Sequence, residues 1–217
     1  MKKQTVEKYK TVSEWGTAEI TEKRSRFIAN VFPVETEEEA LSLLEKMRKK
    51  YSDARHNVYA YVIKNGGLAR YSDDGEPAQT AGLPVMDLIK KSGLSDILIV
   101  VTRYFGGILL GTGGLVHAYS KSAKEGILAA KPCEMILCRE IFAECDYTTF
   151  SKLQSRILSE GYEVVSPIYA EDVKFKVFVP EDKSSEFEKK IIDYSDGKAK
   201  MSFGNSSFFP FCGESEN

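Results

Sequence analysis

Two stretches of the sequence hold residue types that could do chemistry. In RYSDDGEPAQTAG, Asp73, Asp74 and Glu76 fall within four residues. Carboxylates so close can ligate Mg²⁺ or act as general acid and base, with Arg70 or Ser72 joining them. They also suit a solvated turn, in which Asp-Gly supplies the geometry and an aspartate bonds its own backbone. The alternating ligands and distal glutamate of an EF-hand are missing. In TRYFGGILLGTGGLVHAYSKS, five glycines (Gly106, Gly107, Gly111, Gly113 and Gly114) occupy nine positions. Placed between a strand and a helix, such a turn can offer backbone N–H groups to an anion.

Neither familiar phosphate fingerprint is complete. Gly106 and Gly111 have the Walker spacing, but Thr112 and Gly113 stand where Lys and Ser/Thr are required. Gly111 and Gly113 begin a dinucleotide pattern that Val116 breaks. What remains is a generic anion site, with Arg103 just upstream and His117, Lys121 and Lys124 on the following helix. The alternative is steric: glycine permits positive φ and close packing of helix on sheet, and spacing alone favours it.

The only histidines are His56 and His117. Arg55 and His56 precede a strand, and with Lys23, Arg24 and Arg26 they could form a local basic surface for RNA, or a solvated edge. The four cysteines contain no CxxC pair, so buried free thiols are expected rather than disulfides or a zinc site. No metal or other cofactor is expected.

The elements that must position these residues follow from periodicity. TVEKYKTV and GTAEI suggest a hairpin, and RFIANVFPV another strand. TEEEALSLLEKMRKKY is an amphipathic helix with Thr36 and Glu39 as a capping box. NVYAYVIKNGG ends in an Asn65-Gly66 turn, and LPVMDLIKKSG is a helix closed by Gly93. SDILIVVTRYF reads as a central strand covered on both faces. LVHAYSKSAKEGILAAK is a long helix with Leu115, Tyr119, Ala123, Ile127 and Leu128 on one face, closed by Pro132. There the pattern restarts as β-α-β-β-α-β, a ferredoxin-like motif, with GNSSFFPFCGESEN as a tail. The expected domains are residues 1–132 and 133–217.

With 217 residues, 42% hydrophobic and 29% charged, the chain is expected to fold around a real core. Thirty Lys plus Arg nearly balance 32 Asp plus Glu, so there is no global field for nucleic acid or an acidic membrane. No apolar run approaches the ~18 residues of a membrane span, and a cytoplasmic protein is expected.

Taken together, RSRF (24–27), DARHNVYAY (53–61), SDDGEP (72–77), TAGLPV (80–85) and VTRYFGGILLGTGGLVHAYS (101–120) resemble the YigZ/IMPACT family across the whole first domain. The resemblance implies an α+β fold: a left-handed β-α-β domain shared with domain IV of elongation factor G, then a ferredoxin-like domain resembling that factor's domain V. Both likenesses point to RNA or the ribosome. It also implies a functional surface of Arg26, Arg55, His56, Asp73, Asp74, Glu76, Arg103 and the Gly106 to Gly114 turn, with no catalytic role assigned. Family members often have Arg where this chain has His117, which would make an anion contact there pH-dependent.

Eukaryotic IMPACT proteins regulate translation by binding the activator of the amino-acid-starvation kinase through an extra RWD domain. That partner is not expected of a chain this short. The leading expectation is a non-catalytic cytoplasmic regulator of translation that binds RNA or the ribosome, without sequence-specific DNA binding. The alternatives are an enzyme acting on a phosphorylated or nucleotide substrate at the glycine turn, and a protein-interaction module built on the second domain's sheet.

Overall fold

The computed structural model describes residues 7–211. Contacts divide the chain into two compact units, one of residues 9–134 and one of residues 7–8 with 135–211. Among the described residues no helix is long and apolar enough to cross a membrane.

The first unit runs β1 (Lys8–Val12), β2 (Gly16–Glu22), β3 (Ser25–Pro33), α1 (Glu37–Lys50), β4 (His56–Ile63), β5 (Leu68–Ser72), α2 (Gly82–Ser92), β6 (Ile97–Tyr104) and α3 (Gly111–Ala129). Its sheet has the order β2-β3-β6-β4-β5, antiparallel throughout. The apolar run of β6 is buried because helices cover both faces. Phe27, Ala29, Ile97, Ile99 and Val101 pack beneath α2 and α3, whereas Phe32, Leu98 and Val100 pack against α1. Each of these side chains except that of Ala29 contributes about 1.5–3 kcal/mol by leaving water.

This order fixes the handedness. β3 and β4 both run antiparallel to β6, so β3-α1-β4 joins parallel strands, and so does β5-α2-β6. The two crossovers step across the sheet in opposite directions, on oppositely directed strands, with helices on opposite faces. They are therefore of opposite hand, and one is left-handed, against the usual rule for parallel connections.

Several local expectations hold with changed detail. The Thr36 hydroxyl accepts from the Glu39 N–H at 3.2 Å, but Glu39 accepts from the N–H of Glu35, one residue before the expected donor. Gly93 caps α2 in the left-handed region at φ 67°. β1 and β2 do not form a hairpin. β2 pairs with β3, while β1 pairs with β7 (Pro132–Cys145), where the Ser13 N–H donates to the Lys131 carbonyl and the Leu137 N–H to that of Glu7, both at 2.9 Å. Leu128, expected on the buried face of α3, is exposed. Gly126 faces the sheet instead, so close that a Cβ there would lie 2.7 Å from the Ala29 Cβ.

The second unit continues from β7 through α4 (Tyr147–Ser159), β8 (Val165–Tyr169), β9 (Val173–Pro180), a 3-10 turn (Glu181–Lys183), α5 (Ser184–Tyr194) and β10 (Lys200–Phe211). β9 lies between β7 and β8, and β10 pairs with β7, the ferredoxin-like arrangement. Asp146 starts α4 by accepting from the Thr149 N–H and hydroxyl, both at 2.9 Å. Residues 204–211, expected as tail, instead extend β10, and Phe209 stacks on Phe178 with ring centroids 4.4 Å apart. Residues 212–217, with Cys212 and the rest of that expected tail, lie outside the described residues. Cys133, Cys138 and Cys145 are buried.

Candidate functional site

Side chains alternate along β6, so Arg103 points to the same face as Ile99 and Val101. The register sets Phe27 of β3 and His56 of β4 on either side of it, forming one row across three strands. The guanidinium lies over Phe27 at 5.4 Å and over Phe105 at 5.7 Å. Its Nη1 donates to Glu76 Oε1 at 2.6 Å, and the two side chains are only 8% and 3% exposed. The Tyr119 hydroxyl, from α3, donates to the same oxygen at 2.8 Å. Burial, and then the Glu76 charge, push that phenol far above its ordinary value. A buried carboxylate needs such partners, because an unpaired one would forfeit its hydration without compensation.

His56 completes the cluster. Its Nδ1 is 2.8 Å from the Asp74 carbonyl oxygen, which assigns a proton to Nδ1, and its Nε2 is 3.9 Å from Glu76 Oε1. Gly75, at φ 85°, turns the loop directly against the His56 ring.

The acidic loop is occupied by its own backbone. Asp73 Oδ1 accepts from the N–H groups of Ala81 and Gly82 at 3.0 and 2.8 Å, and Oδ2 accepts from that of Gln79 at 2.8 Å. Ala81 has no capping side chain, so Asp73 caps α2 from eight residues upstream. Asp74 Oδ2 accepts from the Asn57 N–H at 2.6 Å, and Asn57 Oδ1 accepts from the Thr102 hydroxyl at 2.7 Å. Among the described residues no His, Cys, Asp and Glu side chains group as metal ligands would.

The glycine turn is built by packing. A Cβ on Gly106 would lie 2.1 Å from the Arg24 carbonyl group, while its N–H donates to Ser25 Oγ at 3.2 Å. Gly107 and Gly111 take φ of 85° and 73°. Gly114 lies close to the Leu110 side chain, and Gly113 meets nothing within 4 Å. Arg103, expected at the entrance of the turn, is directed inward to Glu76.

His56, Asp74, Glu76 and Arg103 thus converge in a cluster at one end of the sheet, while the Asp73 side chain bonds, among the described residues, only the backbone N–H groups of Gln79, Ala81 and Gly82. The other expected residues lie outside this cluster. Arg26 is exposed, donates to both Glu19 oxygens at 2.8 and 3.0 Å, and lies over Tyr104. Arg55 and His117 are exposed. Periodicity classed Tyr119 as core and gave no role to Asn57, Thr102 or Arg48, which lies 3.8 Å from Asp74 Oδ1. A hydroxyl within the apolar stripe of α3 is the one signal that marked Tyr119.

The cluster anchors a rim at the same end of the sheet. The turn of Lys23 and Arg24, with φ of 44° and 66°, is pressed against Gly106. Phe105, Ile108 and Leu109 stand out from the same loop, Leu109 being 82% exposed. The pairing of His56 with Arg103 brings Arg55 to that end too.

Fold and cluster define a two-domain α+β protein with a left-handed β-α-β unit and a ferredoxin-like unit. Residues 23–127 match the Impact N-terminal domain and residues 144–198 a domain of unknown function, DUF1949. The chain is similar to IMPACT family member YvyE of Bacillus subtilis (strain 168), at 38% identity over 92% of this chain and 93% of that protein. It is also similar to IMPACT family member YigZ of Escherichia coli (strain K12), at 33% identity over 82% and 89%. A crystal structure of a hypothetical protein superposes with a TM-score of 0.58 at 31% identity, covering 90% of this chain and 96% of that one. The chain belongs to the IMPACT family.

Proposed function

We propose that this chain is a non-catalytic regulator of translation that works in the cytoplasm by binding RNA or the ribosome through the rim beside the glycine turn. Family membership fits a role in translation. The observation that carries the surface is the contact of Gly106 with the Arg24 backbone, which holds a basic turn beside exposed Phe105, Ile108 and Leu109. Cations beside aromatic and apolar groups suit a phosphate backbone with accessible bases. The carboxylates favour binding over catalysis, because Asp73 and Glu76 already serve as acceptors for the fold.

Ribosome co-sedimentation tests this reading. Binding at low salt should fall as salt rises, since phosphate contacts release counterions. Changing Lys23, Arg24 and Arg55 to Glu should abolish it without altering the circular dichroism spectrum. Absence of binding at low salt, or unchanged binding by the triple variant, overturns the proposal.

A further inference from the structure

The sheet of the second unit has a face that its own helices leave open. On β9, Val173, Phe175, Val177 and Val179 point into the core with Phe150, Leu153 and Ile157 of α4 and Phe187 and Ile191 of α5. Alternation sends Lys174, Lys176 and Phe178 the other way. The register sets Glu144 and Ile168 on either side of Lys174, and Phe142 opposite Lys176. Phe142 is 41% and Ile168 62% exposed.

A cavity of about 480 Å³ opens on this face, lined among others by Phe142, Ile168, Lys174, Lys176, Lys200 and Ser202. That volume falls within the ~300–1,000 Å³ usual for a small-ligand site. Glu144 is the one carboxylate in the lining, against three lysines. It lies 3.8 Å from Lys174, while Lys176 meets Glu140 at 3.0 Å. Lys200 has no ion-pair partner among the described residues, so the cavity carries net positive charge beside exposed aromatic and aliphatic groups. Phe178 and Phe209, stacked 4.4 Å apart, continue the aromatic row.

We infer that this open sheet face binds single-stranded RNA, with an unstacked base against Phe142 and Ile168 and its phosphates on Lys174 and Lys200. A flat aromatic platform suits exposed base faces, which a duplex hides within its stack. The face belongs to the other unit from the rim, so the two can be tested separately.

Fluorescence anisotropy with the full chain, a labelled 12-nucleotide RNA and the duplex of the same sequence provides the test. The single strand should bind more tightly than the duplex, and Phe142→Ala should weaken it at least about fivefold, the loss of one base stack. Lys200→Glu should lower the slope of log affinity against log salt by about 0.7, one phosphate contact. Both positions face solvent, and circular dichroism checks that the variants fold. Unchanged binding by both variants, or preference for the duplex, overturns the inference. Equal displacement by polyglutamate overturns it in favour of an acidic protein partner. Loss of single-strand binding only with Arg24→Glu also overturns it, yet leaves the rim proposal standing; failure of the rim variants in ribosome co-sedimentation does the reverse.

Discussion

Arg103 and Glu76 lie 2.6 Å apart inside the first unit, and Tyr119 donates to the same carboxylate oxygen. Three residues from β6, the loop after β5 and α3 are thereby tied at one point. Removing one partner strands the other charge. Arg103→Met should cost about 3–5 kcal/mol in urea unfolding, the usual penalty for a broken buried pair. Adding Glu76→Gln should recover part of the loss, because the amide oxygen still accepts from Tyr119 and leaves no charge unpaired.

The two kinds of glycine in the turn should respond oppositely to alanine. Gly106→Ala drives a Cβ into the Arg24 backbone, which cannot yield as a side chain could, and should cost about 1–3 kcal/mol. Gly113→Ala meets nothing within 4 Å inside α3 and should gain about 0.5–1 kcal/mol. Thermal unfolding of the two variants checks both signs.

Asp73 should behave as a helix cap. Asp73→Ala removes the acceptor of three N–H groups around the start of α2 and should cost about 1–2 kcal/mol. Added Mg²⁺ should leave the melting temperature of the native chain unchanged, whereas a bound ligand at ~100 times its Kd would add ~2.7 kcal/mol.

Stability should fall above about pH 9. Burial, followed by nearby carboxylates, pushes the Cys138 thiol up to about 12 and the Cys145 thiol to about 11. Both values exceed the unfolded ~8.5, so the protonated thiols contribute fully below that pH. The contribution is lost as pH climbs from there towards 11 to 12, where the unfolded chain releases protons that the folded one keeps. Cys138→Ala/Cys145→Ala should flatten this decline in unfolding curves measured between pH 8 and 11.

Elements that satisfy themselves locally were legible in the sequence: the stripe of α1, the apolar run of β6, the Gly93 cap. Pairings set from far away were not. KYKTV and GTAEI are close enough to suggest a hairpin, yet the partner of β1 lies more than a hundred residues on, in β7. The extension of β10 was hidden because Gly, Asn and Ser outnumber apolar residues until Phe208, and its pairing with β7 decides the matter. In the site, the acidic loop read more readily as a solvated turn than as a ligand set. That Glu76 would be buried was not legible, because its partners Arg103 and Tyr119 lie 27 and 43 residues away.

The place of β6 between β3 and β4 bears on how the chain assembles during synthesis. β2 with β3, and β4 with β5, are local hairpins that can form as soon as they are made. Neither has a strand in common with the other, and only residues 97–104 can join them. A nascent chain that stops short of Ile97 holds two half-sheets with unpaired edges facing each other, the kind of edge that attracts foreign strands. The strand that carries Arg103 is therefore also the last to enter its sheet, and its arrival closes both edges at once.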